Sequence, residues 1–210
     1  MRLFYFPIAP NPTRVRLYLA EKAAGGAPIE LTQQLVDLRG GEQRTAEHRS
    51  RNPLGKLPVL ELADGSFLTE SLAIIEYLEE LHPEPPLIGR SPEARARVRE
   101  LERIAELAVL APIARIVHGT RSPLGLPPAP EVAAHARAAL PEGLAVLEAA
   151  LSGGRPFVAG EAISIADCTL AAALQFARFG GVPLPNGLPH LERWDRSYRA
   201  RAPARSVLVA

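Results

Sequence analysis

The chain has 210 residues, of which 47% are hydrophobic, and its 24 Lys and Arg against 23 Asp and Glu give a formal net charge of +1. This length and apolar content suffice for a sizeable core, in one large domain or two small ones. The balanced charge excludes a strong field towards nucleic acid or an anionic membrane, so neither is expected as a partner. Cys168 is the only cysteine, which excludes an internal disulfide and a Cys-x-x-Cys redox motif.

Two further classes of protein are not supported by the sequence. No segment approaches the length of a membrane span, and the apolar start of the chain is short and broken by Pro7, unlike a secretory signal. We therefore expect a cytoplasmic protein. The histidines show no metal-ligand spacing with one another or with Cys168, so no metal site is predicted.

The first 50 positions predict alternating strands and helices. Residues 3–6 form an apolar run typical of a buried strand, and residues 13–24 have helical spacing that ends at two glycines. Residues 29–36 predict a second strand, and residues 37–50 an irregular polar helix. Strand, helix and strand in this order indicate a right-handed parallel unit.

Residues 52–81 are the most informative stretch. Residues 57–62 are mostly apolar, Asp64 and Gly65 form a turn signal, and the apolar character resumes at residues 67–68, which predicts a β-hairpin. A helix follows, because apolar side chains recur at three-residue steps. These are Leu72, Ile75, Leu78 and Leu81.

Two features of this stretch go beyond a hairpin and a helix. Pro58 lies where a strand begins, so the Leu57–Pro58 bond is a candidate for the cis form, which leaves the backbone groups of Leu57 free to pair with an extended peptide. Glu70 and Ser71 bring a carboxylate, a hydroxyl and unpaired N–H groups to a helix start. Together these features predict a site for a small zwitterionic peptide.

The second half of the chain predicts helices only. Residues 82–86 contain three prolines and form a stiff linker. The predicted helices beyond it are residues 92–116 with a kink at Pro112, 131–151 with a kink or a division at Pro141, 164–178 and 188–201. Ser164 and Asp167 have the spacing of a capping box.

Residues 52–59, NPLGKLPV, and residues 68–78, LTESLAIIEYL, resemble the glutathione-binding segment of cytosolic glutathione transferases. The capping box is a second match to this family, far along the chain. The resemblance implies an α/β thioredoxin-like N-terminal domain plus an all-α C-terminal domain. It places the first at residues 1–82, a linker at 83–91, and the helical domain, which lines the acceptor site, at 92–210.

The resemblance also implies a function and its residues. Glutathione is the expected cosubstrate; Leu57 and Pro58 pair with its cysteinyl backbone, and Glu70 and Ser71 bind its γ-glutamyl end. Lys56 resembles the position that meets the glycine carboxylate. Gln43 and His48 are further candidates for that role. The protein is expected to stabilise the thiolate of glutathione and transfer it to an electrophile, as a homodimer.

The sequence offers more than one candidate for the group that activates the thiol of glutathione. A free cysteine thiol has a pKa of about 8.5, and lowering it by about two units requires roughly 2.7 kcal/mol of preferential thiolate stabilisation. In the alignment with serine-type members, Ala9 stands where their catalytic serine lies. Asn11 is the favoured catalytic candidate and Tyr5 the second. Thr13 is a candidate only if the first helix begins after it.

The acceptor site is expected between the domains, against residues 7–12 and the helix after the linker. Its expected helical residues are Arg103, Leu107, Leu110, Arg115 and His118. Two alternatives remain open: a glutathione-dependent isomerase of an acidic substrate or a reductase of disulfides or peroxides on the same fold, and a non-catalytic binding protein. Ala9 favours the non-catalytic alternative.

Overall fold

The computed structural model describes residues 1–209. Its strands are β1 (Arg2–Tyr5), β2 (Thr32–Leu35), β3 (Val59–Glu61) and β4 (Phe67–Thr69). They form one sheet in the order β2-β1-β3-β4. β1 and β2 are parallel, whereas β3 pairs antiparallel with both β1 and β4. This mixed sheet confirms the thioredoxin-like prediction.

The helices begin within the sheet unit and continue through the rest of the chain. They are α1 (Pro10–Ala24), α2 (Ala46–Arg51), α3 (Ser71–Leu81), α4 (Pro92–Ile104), α5 (Ala111–Arg121), α6 (Pro130–Ala150), α7 (Ile165–Gly180), α8 (Pro189–Ala200) and α9 (Ala202–Val207). A π-helical segment, Ala105–Leu110, joins α4 to α5. From α4 onwards the described elements are helical, apart from an isolated bridge between Phe157 and Gly160, which confirms the all-α second unit.

The two faces of β1 belong to different clusters. Leu3 is fully buried with side chains of α1 and α3 in the main core, which continues into the helical unit. Phe4 points to the other face and packs with Val36, Leu57 and Val59. Because successive strand residues face opposite sides, this alternation places α1 and α3 behind the sheet and the segment around Leu57 in front of it.

Two predicted helices have different bounds in the structure. α1 begins at Pro10 and not at residue 13, because a proline in the first turn needs no backbone donor. The predicted helix 92–116 contains its irregularity before Pro112, in the π-helical segment. Pro112 has no N–H to donate to the carbonyl of Ala108, four residues earlier, and its ring crowds that carbonyl. The wider turn of the π-helical segment relieves this contact.

The linker between the two units is held by a buried ion pair. The Nζ of Lys22, which is fully buried, lies 2.7 Å from Glu79 Oε2 and donates to the carbonyl oxygens of His82 and Pro85 at 2.6 and 2.7 Å. The second oxygen of Glu79 accepts from the backbone N–H of Leu87 at 2.6 Å. The start of the helical unit is therefore tied to α1 and α3 by charge-assisted bonds.

Asp167 organises the start of α7, as the capping box predicts. Its carboxylate, fully buried, accepts the backbone N–H of Ser164 at 3.0 Å and that of Val158 at 2.9 Å. It also accepts the indole N–H of Trp194 at 2.9 Å. Burial raises the pKa of Asp167 to about 6, and these donors act against that rise. One side chain thus joins α7, α8 and the segment before α7.

Replacing Asp167 by Ala should therefore destabilise the protein strongly. Four buried donors lose their acceptor, the three N–H groups and the Ser164 hydroxyl at 2.9 Å, so the free energy of unfolding should fall by about 3 kcal/mol or more. Denaturant unfolding measures this loss. The matched control is Asp195→Ala, which removes a partly exposed pair with Arg178 and should cost less than about 1 kcal/mol. Equal losses in the two variants would contradict the role given to Asp167.

Candidate functional site

A cleft of about 430 Å³ lies between the sheet unit and the helical unit. Its walls come from the first turn of α1, the segment before β3, and helices α5 and α7 with their flanking residues. They are Ala9, Pro10, Asn11, Pro12, Leu38, Gln43, Arg44, Arg49, Leu54, Gly55, Lys56, Leu57, Leu110, Ala114, His118, Leu124 and Phe176. Asn11, Lys56 and Leu57, which the sequence analysis selected, are thus brought together.

The loop before β3 is anchored through the backbone of Lys56. Its carbonyl oxygen accepts from Asn52 Nδ2 at 2.9 Å and lies 3.1 Å from Nε2 of the buried His48. The Leu57–Pro58 bond is cis. Among residues 1–209, no group pairs with the backbone N–H or C=O of Leu57. The loop therefore offers one backbone donor and one acceptor beside the cleft, with the Lys56 ammonium next to them.

The structure gives His48 and Gln43 different positions. His48 is fully buried and orders the loop without lining the cleft. Gln43 lines the cleft, and its buried Oε1 has no hydrogen-bond donor within the described part of the chain. A buried carbonyl oxygen without a donor costs free energy, so Gln43 can accept from an N–H group that a ligand brings.

The first turn of α1 has few backbone donors, because Pro10 and Pro12 have none. The N–H of Thr13 bonds to Ala9 O at 3.1 Å. Asn11 therefore supplies the one unpaired backbone N–H of this turn, together with its side-chain amide. Thr13 is fully buried and its hydroxyl donates to the carbonyl oxygens of Pro7 and Ala9, both at 2.9 Å, so it does not reach the cleft.

Tyr5 lies outside this cleft. Its ring is covered by the guanidinium of Arg16 at 4.5 Å from the ring centroid, and Arg16 Nε donates to Gln33 at 2.9 Å. Tyr5 also packs against the main core, on the α1 face of the sheet. The structure therefore places the two catalytic candidates, Asn11 and Tyr5, apart.

Glu70 and Ser71 begin α3 at the end of the hairpin nearest Leu57. The β3–β4 register pairs Val59 with Thr69, so the residues before Val59 and after Thr69 lie side by side. Glu70 is exposed and has a φ of 66°, an uncommon conformation for a residue with a side chain. Neither Glu70 nor Ser71 lines the 430 Å³ cleft. They lie on the far side of Leu57, which is itself a wall of the cleft.

Arg14 holds Ser71 in place, and the sequence analysis missed this residue. Its guanidinium, 2% exposed, donates from Nε to Ser71 Oγ at 2.8 Å. It also contacts Glu102 Oε1 at 2.9 Å and Glu106 Oε2 at 2.6 Å, on the helical unit. Because Arg14 occupies a lone pair of Ser71, the hydroxyl hydrogen remains free to donate to a ligand. The neighbouring residues give no local signal that Arg14 is buried, because its charged partners lie on the other unit.

Burial and charge act in opposite directions on the two carboxylates. Burial raises the pKa of Glu102, although the charge of Arg14 favours the ionised form. Burial also opposes the ionisation of Glu106, but hydrogen bonds and charges from Arg14 and Arg103 lower its pKa. Arg14 therefore pairs with both carboxylates, and the ionised form is favoured more strongly at Glu106, which lies at the more exposed edge.

A smaller apolar pocket of about 70 Å³ adjoins the cleft and shares six of its residues. Its walls are Phe6, Ile8, Ala9, Pro10, Leu38, Arg39, His118, Pro123, Leu124, Phe176 and Phe179. Of the helical residues expected at the acceptor site, Leu110 lines the cleft and His118 lines both cavities. Arg103, Leu107 and Arg115 line neither, because their positions on the helix turn them elsewhere.

His118 is the titratable group where the cleft and the apolar pocket meet. Its Nδ1 lies 2.8 Å from Ser122 Oγ, and its ring is 6.0 Å from that of Phe176. Burial lowers the pKa of His118, so the imidazole is neutral near pH 7. A neutral imidazole can accept a proton. From the sequence, His118 was expected only as a wall of the acceptor site and not as a proton acceptor.

Within residues 1–209, no three His, Cys, Asp or Glu side chains are grouped so that they could hold a metal ion. No helix in this range has both the length and the apolar character that crossing a bilayer requires.

Comparison with known proteins agrees with this geometry. Residues 3–86 match the model of the glutathione S-transferase N-terminal domain, and residues 130–194 match that of the C-terminal domain. Glutathione S-transferase 2 of Saccharomyces cerevisiae is 31% identical over 99% of this chain and 89% of its own length. Probable maleylacetoacetate isomerase 2 of Drosophila melanogaster is 32% identical over 92% and 80%.

A solved structure is similar over the whole length. The glutathione S-transferase domain-containing protein of Marinobacter aquaeolei superposes with a TM-score of 0.88 at 34% identity, covering 97% of this chain and 100% of that chain. The chain therefore belongs to the glutathione S-transferase family.

Removing the charge of Arg14 should reveal how much the network depends on it. Arg14→Met leaves the buried Glu102 without its counter-charge, so the free energy of unfolding should fall by about 3–5 kcal/mol. Adding Glu102→Gln removes the uncompensated charge and should recover about 1 kcal/mol or more. Denaturant unfolding of both variants measures this.

Arg103→Met is the control for the Arg14 experiment. Its side chain is 42% exposed and pairs with Glu106, so its loss should cost less than about 1 kcal/mol. A double variant no more stable than Arg14→Met alone would show that Glu102 is not stabilised by Arg14.

Proposed function

We propose that this protein is a glutathione transferase that binds glutathione in the cleft, stabilises its thiolate and transfers it to an electrophilic, largely apolar small molecule. The observation that carries the proposal is the unpaired backbone of Leu57, which lies beside Lys56 in the wall of the cleft and, by the β3–β4 register, near the start of α3. An extended tripeptide with a charge at each end fits this order of groups.

Each part of glutathione has a partner in this proposal. The cysteinyl backbone pairs with the N–H and C=O of Leu57, as an added strand does. Lys56 attracts the glycine carboxylate. The γ-glutamyl carboxylate accepts from the hydroxyl of Ser71 and from first-turn N–H groups of α3, where the helix dipole favours negative charge. The carboxylate of Glu70 attracts the ammonium group.

Asn11 and His118 are the proposed groups for thiol activation. Asn11 donates to the thiolate from its amide and its unpaired backbone N–H, and charge-assisted bonds of this kind supply the roughly 2.7 kcal/mol that a shift of about two pKa units requires. His118, neutral because burial lowers its pKa, accepts the thiol proton. The position of Tyr5 against Arg16 supports Asn11 over Tyr5 as the donor.

Transfer then takes place at the edge of the apolar pocket. The thiolate sulfur forms a bond to an electrophilic carbon of the acceptor, and a leaving group departs with its bonding electron pair. The pocket orients the acceptor and excludes water from the reacting atoms. The homodimer implied by the family resemblance stays a prediction.

Two other reactions on the same site are separated by their products. The similarity to a protein named as a probable maleylacetoacetate isomerase favours glutathione-dependent isomerisation as the second candidate. Conjugation consumes the thiol, isomerisation returns it, and reduction of a disulfide or peroxide yields oxidised glutathione. A calorimetric titration with reduced and then oxidised glutathione comes first, since absence of binding to both would favour the non-catalytic alternative.

Replacing Ser71 by Ala should weaken glutathione binding. The variant loses a hydrogen bond to a carboxylate, so the dissociation constant should rise about tenfold, measured by calorimetry. Circular dichroism should show that the variant stays folded. Ser66→Ala is the control, because Ser66 lies exposed in the β3–β4 turn and its loss should leave the affinity unchanged. An unaltered dissociation constant for Ser71→Ala would place the γ-glutamyl group elsewhere.

Replacing Asn11 by Ala should raise the pKa of the bound thiol with little effect on binding. The loss of one amide donor to the thiolate should shift this pKa upward by about one unit. The thiolate absorbance of the complex as pH is varied measures it. Tyr5→Phe is the matched comparison and should leave the thiol pKa unchanged. A shift in Tyr5→Phe with none in Asn11→Ala would make Tyr5 the donor.

A further inference from the structure

A third cavity, of about 290 Å³, lies beside the apolar pocket and has no role in the proposed function so far. It is formed by the segment before α1, helices α7 and α8, and the end of the described chain. Its walls are Ile8, Gln175, Arg178, Phe179, Arg199 and Val209. Ile8 and Phe179 also line the apolar pocket, so the two cavities adjoin across these two side chains.

Gln175 brings an unused donor to this cavity. The residue is 5% exposed, and its Oε1 accepts from the backbone N–H of Val209 at 2.8 Å. Its Nε2 is buried and has no acceptor within residues 1–209. Because the Val209 contact fixes the oxygen side of the amide, the nitrogen side must remain a donor. A buried donor without an acceptor is unfavourable, and a ligand oxygen would satisfy it.

The charges around Gln175 indicate which kind of oxygen fits. Arg178 pairs with Asp195 at 3.0 Å and is neutralised by it. Arg199 is exposed and lies within ion-pair distance of no carboxylate in the described structure. Among residues 1–209, the walls therefore contain one arginine without an ion-pair partner, an unused amide donor and no acidic side chain. This combination suits an anionic oxygen group.

We propose that the acceptor substrates of this protein are anionic aromatic or aliphatic electrophiles, whose apolar body lies in the pocket and whose carboxylate or similar oxyanion lies in this third cavity. The inference rests on the proposed function, because it concerns the second substrate of the same site. Arg199 and Gln175 act on specificity, since they bind the anion and do not contact the reacting sulfur. A molecule that spans both cavities passes between Ile8 and Phe179.

Product-like conjugates of glutathione test this assignment by binding alone. S-(4-carboxybenzyl)glutathione has the anion, and S-(4-carbamoylbenzyl)glutathione replaces it with a neutral amide of the same shape. Calorimetry gives both dissociation constants for the wild-type protein, for Arg199→Gln and for Arg196→Gln. Arg196 is the matched control, an exposed arginine on α8 that lines none of the three cavities.

We expect the wild-type protein to bind the carboxylate conjugate roughly tenfold more tightly than the amide conjugate, the size of one charge-assisted hydrogen bond. Arg199→Gln should reduce this ratio to about twofold or less, whereas Arg196→Gln should preserve it. The ratio within each variant cancels any general effect of the substitution on glutathione binding.

Three results would overturn the inference, and they are distinguishable from one another. Equal binding of both conjugates to the wild-type protein means that the third cavity does not select an anion. An equal loss of the preference for the carboxylate conjugate in both variants means that the preference comes from the overall positive charge of α8 and not from Arg199. Failure of both conjugates to bind would overturn the glutathione site and this inference together.

Discussion

The buried guanidinium of Arg14 is the constraint on which the site depends. An arginine cannot lose its proton inside the protein, so its charge must be matched where it lies. Two carboxylates of the helical unit, Glu102 and Glu106, supply the match, and the Nε–H of Arg14 orients Ser71 at the start of α3. One side chain from the sheet unit therefore fixes both the position of the helical unit and the proposed anchor for glutathione. A second buried pair, between Lys22 and Glu79, adds to this by tying down the linker.

The division of the cleft follows from that constraint. The sheet unit supplies the backbone groups and charges for the proposed peptide ligand, and the helical unit supplies the apolar surface with His118 at the border. α6 packs closely against the π-helical segment beside the cleft. Gly143 allows this approach, because a side chain at its position would clash with the carbonyl of Ala108. The wider turn of this segment precedes Pro112 and ends at Leu110, a wall of the cleft.

Much of the sheet unit could be predicted because its signals are local. The turn at residues 64–65, the proline after Leu57 and the helical spacing after Ser71 each depend on neighbours in sequence. The capping box of Ser164 and Asp167 could also be predicted, because its two members are three residues apart in sequence. The predicted start of α1 at residue 13 was wrong, because Pro10 and Pro12 interrupt the helical pattern although the first turn of a helix tolerates proline. α9 was missed because six residues with a proline give little periodicity.

The family resemblance, the two-unit architecture and the positions of Lys56, Leu57, Glu70 and Ser71 could be inferred from the amino-acid sequence, because they follow from motifs and short-range patterns. Which charged residues are structural and which face the cleft depends on tertiary packing. Packing buries Arg14, places Tyr5 outside the cleft that Asn11 lines, and leaves Arg103, Leu107 and Arg115 outside both the cleft and the apolar pocket. The physical reason is that the environment of a side chain is set by elements distant in sequence. Neither burial nor charge compensation has a local signature in the chain.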